Sequence, residues 1–186
     1  MQLLPAQTIL EEATVSLPDV TTPTHFLIQA IDAKRDVIGS TQVLAFPRNY
    51  LLAIEKLSGK GGVGLYDPSE LFSSLAREVG LAHTHLEEDV PFKGRLGLVI
   101  SGENDTAANR VVESLGQRNI PCVWMQQSAA PEFTQLQLAI PLNSYPSVLR
   151  LRFTQTNFLQ TAQGQSALIE MSKYVLKQSN HENLHP

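Results

Sequence analysis

The residues that first invite a chemical reading are Ser58-Gly59-Lys60-Gly61-Gly62-Val63-Gly64, a glycine-rich run of the kind that cradles phosphates. Such a loop works because a strand delivers it and a helix follows, so that backbone N–H groups and the helix N-terminus face the anion. Here the order is inverted. Apolar spacing at Leu51, Leu52, Ile54 and Leu57 predicts a helix before the glycines, and Gly62–Asp67 predicts a short buried strand after them. Leu65 and Tyr66 follow the last glycine, so the lysine for the β- and γ-phosphates and the hydroxyl for magnesium are both missing. Lys60 stands earlier, where its charge suits the carbonyls of a helix C-terminus. The run reads as a helix end and a tight turn, and a nucleotide is not expected as a partner.

Three other groups of residues deserve the same weighing. Ser101-Gly102-Glu103-Asn104-Asp105-Thr106 follows an apolar strand and opens a helix, the carboxyl edge where ligands sit in open α/β sheets. Asp67 follows the first predicted strand of the α/β part, Gly62–Asp67. Asp67, Gly102, Glu103, Asn104 and Asp105 are therefore the candidate ligand-binding residues. The competing reading is structural: Asn104 or Asp105 caps the helix, Gly102 makes the turn, and Asp67 caps the helix before. The carboxylates would also repel a phosphate. His83 and His85 alternate along one predicted strand with Glu87 in line, a weak metal-binding pattern that an exposed edge strand produces equally well. His181 and His185 fall in the terminal tail. Cys122, the single cysteine, lies inside Ile120-Pro121-Cys122-Val123-Trp124, where it reads as a small apolar core residue. No G-x-S-x-G or G-x-C-x-G elbow occurs, so no catalytic set assembles and no cofactor is expected.

The elements that must position these residues fall into two parts. Alternating apolar and polar residues predict strands at Ala13–Val20, Thr24–Ala33 and Asp36–Phe46, the last two joined by a turn at Lys34-Arg35-Asp36. Two or three such strands cannot close a core alone. From Pro47 onward the pattern changes to helix (Arg48–Leu57), strand (Gly62–Asp67), helix (Asp67–Gly80), strand (Ala82–Glu88), strand (Arg95–Gly102), helix (Asn104–Asn119) and strand (Ile120–Gln127). In the second helix Asp67 suits the cap, Pro68 the first turn, Glu70 a capping box and Gly80 the left-handed C-terminal position. Phe133–Leu142 and Ser147–Gln155 read as extended, and a helix begins near Gln163. The expected organisation is a β segment over 1–46, an α/β domain over 47–178 and a loose tail over 179–186.

Composition narrows the partners. The chain has 186 residues, a net charge of −4, 42% apolar residues and 17% charged residues. Acidic and basic residues are mixed and no basic patch stands out, so nucleic acid is not expected. No apolar run approaches the roughly 18 residues of a membrane span, so no membrane is expected. Met1–Glu12 lacks the basic start and long apolar stretch of a signal peptide. One cysteine excludes an internal disulfide and leaves the compartment undetermined.

Two segments carry a resemblance. "GVGLYDPSELFSSLAREVGLAHTHLE" and "RLGLVISGENDTAANRVVESLGQRNIPCVWMQ", within Leu51–Gln127, resemble class I glutamine amidotransferase-like domains. They are most similar to the non-catalytic versions near the C-terminus of large glycoside hydrolases such as beta-galactosidase and family-two enzymes. The strands before them look like the closing strands of an immunoglobulin-like sandwich. The resemblance implies an α/β fold with a doubly wound, mainly parallel, flavodoxin-like sheet, and an N-terminal antiparallel β segment. It implies a non-catalytic accessory domain of a carbohydrate-active protein, whose partners are the rest of a parent chain or further copies of itself. Catalytic amidotransferases carry a cysteine at a strand-to-helix elbow. This chain has Gly102-Glu103-Asn104 there, so the glutaminase reaction has no nucleophile. Any hydrolase activity would belong to another part of the parent. The alternatives are a free-standing ligand-binding or hydrolytic α/β protein using the carboxyl edge, and an interaction module that pairs through its N-terminal strands.

Overall fold

The computed structural model describes residues 13–59, 62–88, 90–128, 137–142 and 145–182. The chain divides into two units, with the boundary between Arg48 and Asn49.

The first unit is a hairpin. Strand β1 (Thr24–Ile31) pairs antiparallel with β2 (Val37–Ala45), in a register running from Thr24↔Ala45 to Ala30↔Gly39. The turn forms because Asp32 Oδ1 accepts the backbone N–H groups of Lys34 and Asp36 at 2.8 and 2.9 Å, and Arg35 takes a left-handed φ of 71°. The register shifts between Ala30 and Ile31, a bulge beside the turn. Every residue of both strands is exposed or half-buried. The strand expected over Ala13–Val20 does not form. Its alternation is real, but Pro18 lacks a donor, and among the described residues β1 and β2 pair only with each other.

The second unit is an α/β layer structure. In chain order it contains α1 (Leu52–Ser58), β3 (Val63–Tyr66), α2 (Ser73–Glu78), β4 (Thr84–His85), β5 (Leu96–Gly102), α3 (Thr106–Gln117), β6 (Cys122–Gln127), β7 (Gln137–Leu142), β8 (Tyr145–Phe153), a 3₁₀ turn at Phe158–Gln160 and α4 (Ala162–Glu182). The sheet order is β4-β3-β5-β6-β8-β7. Five strands are parallel, and β7 closes one edge antiparallel to β8. Taken by sequence, the parallel strands run second, first, third, fourth, fifth. The order therefore reverses between β3 and β5.

Both faces of this sheet are covered. Residues Leu96 to Ser101 of β5 are all buried, as its near-continuous apolar run requires. On one face Leu98, Ile100, Val123, Met125 and Leu151 pack with Ile54 of α1 and Leu168 and Ile169 of α4. On the other, Val99, Cys122 and Trp124 pack with Val111, Val112 and Leu115 of α3. Each fully buried Leu or Ile contributes about 1.5–3 kcal/mol of transfer free energy. Among its described residues the β4–β5 crossover has no helix; Leu86 and Phe92 from that segment fill the second face instead.

Local chemistry explains where elements depart from the sequence pattern. Helix α2 begins at Ser73, six residues after Asp67, because Glu70 adopts φ 53° and breaks the first turn. The capping box at Glu70 does not form; its carboxylate lies 3.6 Å from the Arg77 guanidinium, an exposed pair. Gly80 takes φ 76° at the end of α2, and Leu81 N–H bonds the Ala76 carbonyl at 2.8 Å, closing the helix as expected. The strand expected over Ala82–Glu88 shrinks to Thr84–His85. At the other end α4 continues through Glu182, beyond Ser179 where the tail was expected to begin.

Candidate functional site

The glycine run behaves as a helix end. Ser58 Oγ donates to the Ile54 carbonyl at 2.9 Å, and Gly59 turns the chain with φ 82°. The Gly62 carbonyl then accepts the N–H groups of Arg95 and Leu96 at 2.8 and 3.0 Å, tying the start of β3 to β5. A Cβ on Gly62 would lie 2.2 Å from the Ser58 carbonyl oxygen, so glycine is required there for close packing. Lys60 lies outside the described residues.

The carboxyl edge of the sheet brings the candidate residues together at the point where the strand order reverses. Asp67, 5% exposed, accepts four hydrogen bonds. Its Oδ1 takes the Leu71 N–H at 3.1 Å; its Oδ2 takes the Phe72 N–H at 2.8 Å, the Ser73 N–H at 2.7 Å and the Ser73 hydroxyl at 2.8 Å. One carboxylate thus replaces the first-turn donors' missing partners across a loop. Asp105 is the N-cap of α3, accepting the Ala108 N–H at 2.9 Å, and its carboxylate also accepts the Tyr66 hydroxyl at 3.3 and 3.2 Å. Of the two residues that could have capped α3, Asp105 does so and Asn104 is exposed. Burial, and then the Asp105 carboxylate beside it, pushes the Tyr66 phenol above its ordinary range.

Further along the edge the sequence left a polar network unremarked. Trp124 Nε1 donates to Ser101 Oγ at 2.9 Å. Gln126 donates to the Glu103 carbonyl at 3.1 Å and accepts Arg152 Nε at 3.2 Å. Ser128 donates to Glu103 Oε2 at 3.2 Å. The Arg150 guanidinium stacks over the Trp124 ring at 5.4 Å. Burial, and then neighbouring Arg152, lowers the Arg150 pKa. The signal was in β8, where Arg150 and Arg152 interrupt an apolar strand at a period of two and so mark a single face.

The remaining candidates stay apart. His83 precedes the two-residue β4, and its Nδ1 lies 2.9 Å from the Leu81 carbonyl oxygen, while His85 is exposed. Among the described residues no three His, Cys, Asp or Glu side chains are grouped to hold a metal. The side chains of His181 and His185 lie outside the described residues. The Cys122 thiol is wholly buried, and burial pushes its pKa far up, out of the range where a thiolate forms. No described helix is long and apolar enough to cross a membrane.

Chemically, the edge holds acidic groups whose acceptor capacity is turned inward. The α3 N-terminus, where a phosphate would dock, is already capped by Asp105. Of the candidate residues, Asn104 is exposed, and Gly102 borders open space, with no heavy atom within 4 Å of the position a Cβ would take. Compared with known proteins, the chain matches no family model, no curated protein and no solved structure.

Proposed function

We propose that this chain is a non-catalytic accessory and interaction domain, with a flavodoxin-like sheet, of a larger carbohydrate-active protein. The observation that carries the reading is the bonding of Asp67, whose carboxylate is spent on four internal donors at the one edge where such sheets bind ligands. A general base or ligand-binding carboxylate needs a lone pair directed at a reacting group, and this one is directed at its own chain. The second-first-third-fourth-fifth order of the parallel strands supports the flavodoxin-like assignment. The apolar strands of the hairpin, which close no core themselves, support an interaction role. The glycoside hydrolase parentage rests on the sequence resemblance and is a matter of analogy between folds.

The rival reading, a ligand binder at the carboxyl edge, draws on the open space at Gly102. Gly102→Trp separates the two. It fills that space without a backbone clash, so on the accessory reading it changes no binding or activity. Thermal shifts with glutamine, simple sugars and flavin mononucleotide, and glutaminase and glycosidase assays, should show no response in the unaltered chain. A saturable response abolished by Gly102→Trp would establish the rival. The parentage is tested by the natural reading frame: a hydrolase domain encoded in the same frame supports it, and a frame without one removes it.

A further inference from the structure

The hairpin has an edge whose side chains read the same in both directions. Strand β2 is Val37-Ile38-Gly39-Ser40-Thr41-Gln42-Val43-Leu44-Ala45. Reversed about Thr41, Val37 meets Ala45, Ile38 meets Leu44, Gly39 meets Val43 and Ser40 meets Gln42. Apolar residues fall on apolar ones and polar residues on polar ones, with Thr41 on the axis. That is the requirement for an isologous two-fold contact between antiparallel strands, in which each residue faces its own counterpart's partner. Strand β1 lacks the property, since reversal sets His25 against Ala30 and Phe26 against Gln29.

Three further observations bear on this edge of β2. Among the described residues it pairs with β1 alone, so that along its nine residues the outer edge has no strand partner there. Neither strand of the hairpin contains Asp, Glu, Lys, Arg or Pro, the residues that protect edges against pairing. Ile38 and Leu44, which face each other across the two-fold, are 69% and 41% exposed. Each copy carries a net charge of −4, but the strands themselves are uncharged, so the pairing sets no like charges directly opposite each other.

We propose that β2 pairs antiparallel with β2 of a second copy about a two-fold axis at Thr41, joining two hairpins into one four-stranded sheet. The proposal deepens the interaction reading above and rests on it, but it concerns a different surface from the carboxyl edge. Pairing supplies the outer backbone groups with partners and buries Ile38 against Leu44 of the other copy twice over.

The test is sedimentation velocity on the full chain across a concentration series, with two double variants. Ile38→Lys with Leu44→Lys sets lysine against lysine at both symmetric positions and should raise the dimer dissociation constant by about tenfold or more. Ile38→Lys with Leu44→Glu introduces as many charges at the same sites but sets lysine against glutamate, and it should restore the dimer. A chain that stays monomeric at every concentration overturns the proposal and points to a different partner. A dimer that survives the lysine pair, or one that the lysine–glutamate pair fails to restore, overturns it as well. None of these results bears on ligand binding at Gly102, so failure here is distinct from failure of the non-catalytic reading.

Discussion

The Tyr66 hydroxyl at the end of β3 donates to both carboxylate oxygens of Asp105, at 3.3 and 3.2 Å, across the point where the strand order reverses. The crevice that could have received a ligand is bridged by the chain's own side chains. Asp105 holds the N-terminus of α3 at the same time, so one carboxylate serves a strand end and a helix start.

This bridge has a pH signature. The folded protein holds the Tyr66 proton more tightly than the unfolded chain, whose tyrosine titrates near the ordinary 10.0. Its contribution to stability is therefore complete below that pH and is lost as pH rises through the raised folded value. In an ultraviolet titration of phenolate absorbance, Tyr66→Phe should remove a phenol that ionises above the ordinary tyrosine range. Asp105→Asn should move Tyr66 back toward its ordinary value without reaching it, because burial is the larger cause.

Cys122 should behave as core. An aromatic disulfide reagent added to the native protein should release no thiolate on the time scale on which a free thiol reacts, and one equivalent after denaturation. Native-state reaction at the rate of a small-molecule thiol would contradict its placement on β6 beneath α3.

Two glycines should respond oppositely to alanine. A Cβ on Gly164, in the first turn of α4, would lie 2.0 Å from the Phe158 carbonyl oxygen, a backbone atom that cannot swing away. Gly164→Ala should cost about 1–3 kcal/mol in urea denaturation. Gly102→Ala meets nothing within 4 Å and should stay within about 0.5 kcal/mol of the parent.

Much of the α/β sheet was legible because burial on both faces writes itself as uninterrupted apolar runs. Leu96–Ser101 and Cys122–Met125 could be little else, and of Ala107, Ala108, Val111, Val112 and Leu115, which the spacing sets on one face of α3, all but the half-buried Ala107 are buried. The shape of the loop after β3 was not legible. Asp67-Pro68-Ser69-Glu70 has the residue types of a capping box, yet Asp67 reaches forward to residues 71, 72 and 73 while Glu70 turns left-handed. Side-chain reach across a loop leaves no periodicity to read. Ala13–Val20 stays out of the hairpin although the outer edges of β1 and β2 have no strand partner among the described residues: alternation describes a strand's faces but does not by itself make a ladder, and Pro18 has no N–H to give one. Of the site, Asp67 and Asp105 were found at their correct edge. Tyr66, Gln126, Arg150 and Arg152 were missed, because their partners lie on strands brought alongside only by the fold.

The central claim, that the carboxyl edge is a structural junction and no binding site, is tested most directly by the stability of Asp67→Ala and Asp105→Ala in urea denaturation. Residues kept for function tend to be neutral or stabilising when removed, whereas caps and buried hydrogen-bonded charges are costly to lose. The account predicts losses of about 2–4 kcal/mol at Asp67, where four bonds break and donors are left unmatched, and about 1 kcal/mol at Asp105. Unchanged or increased stability in both variants would contradict it and return the edge to the list of working sites.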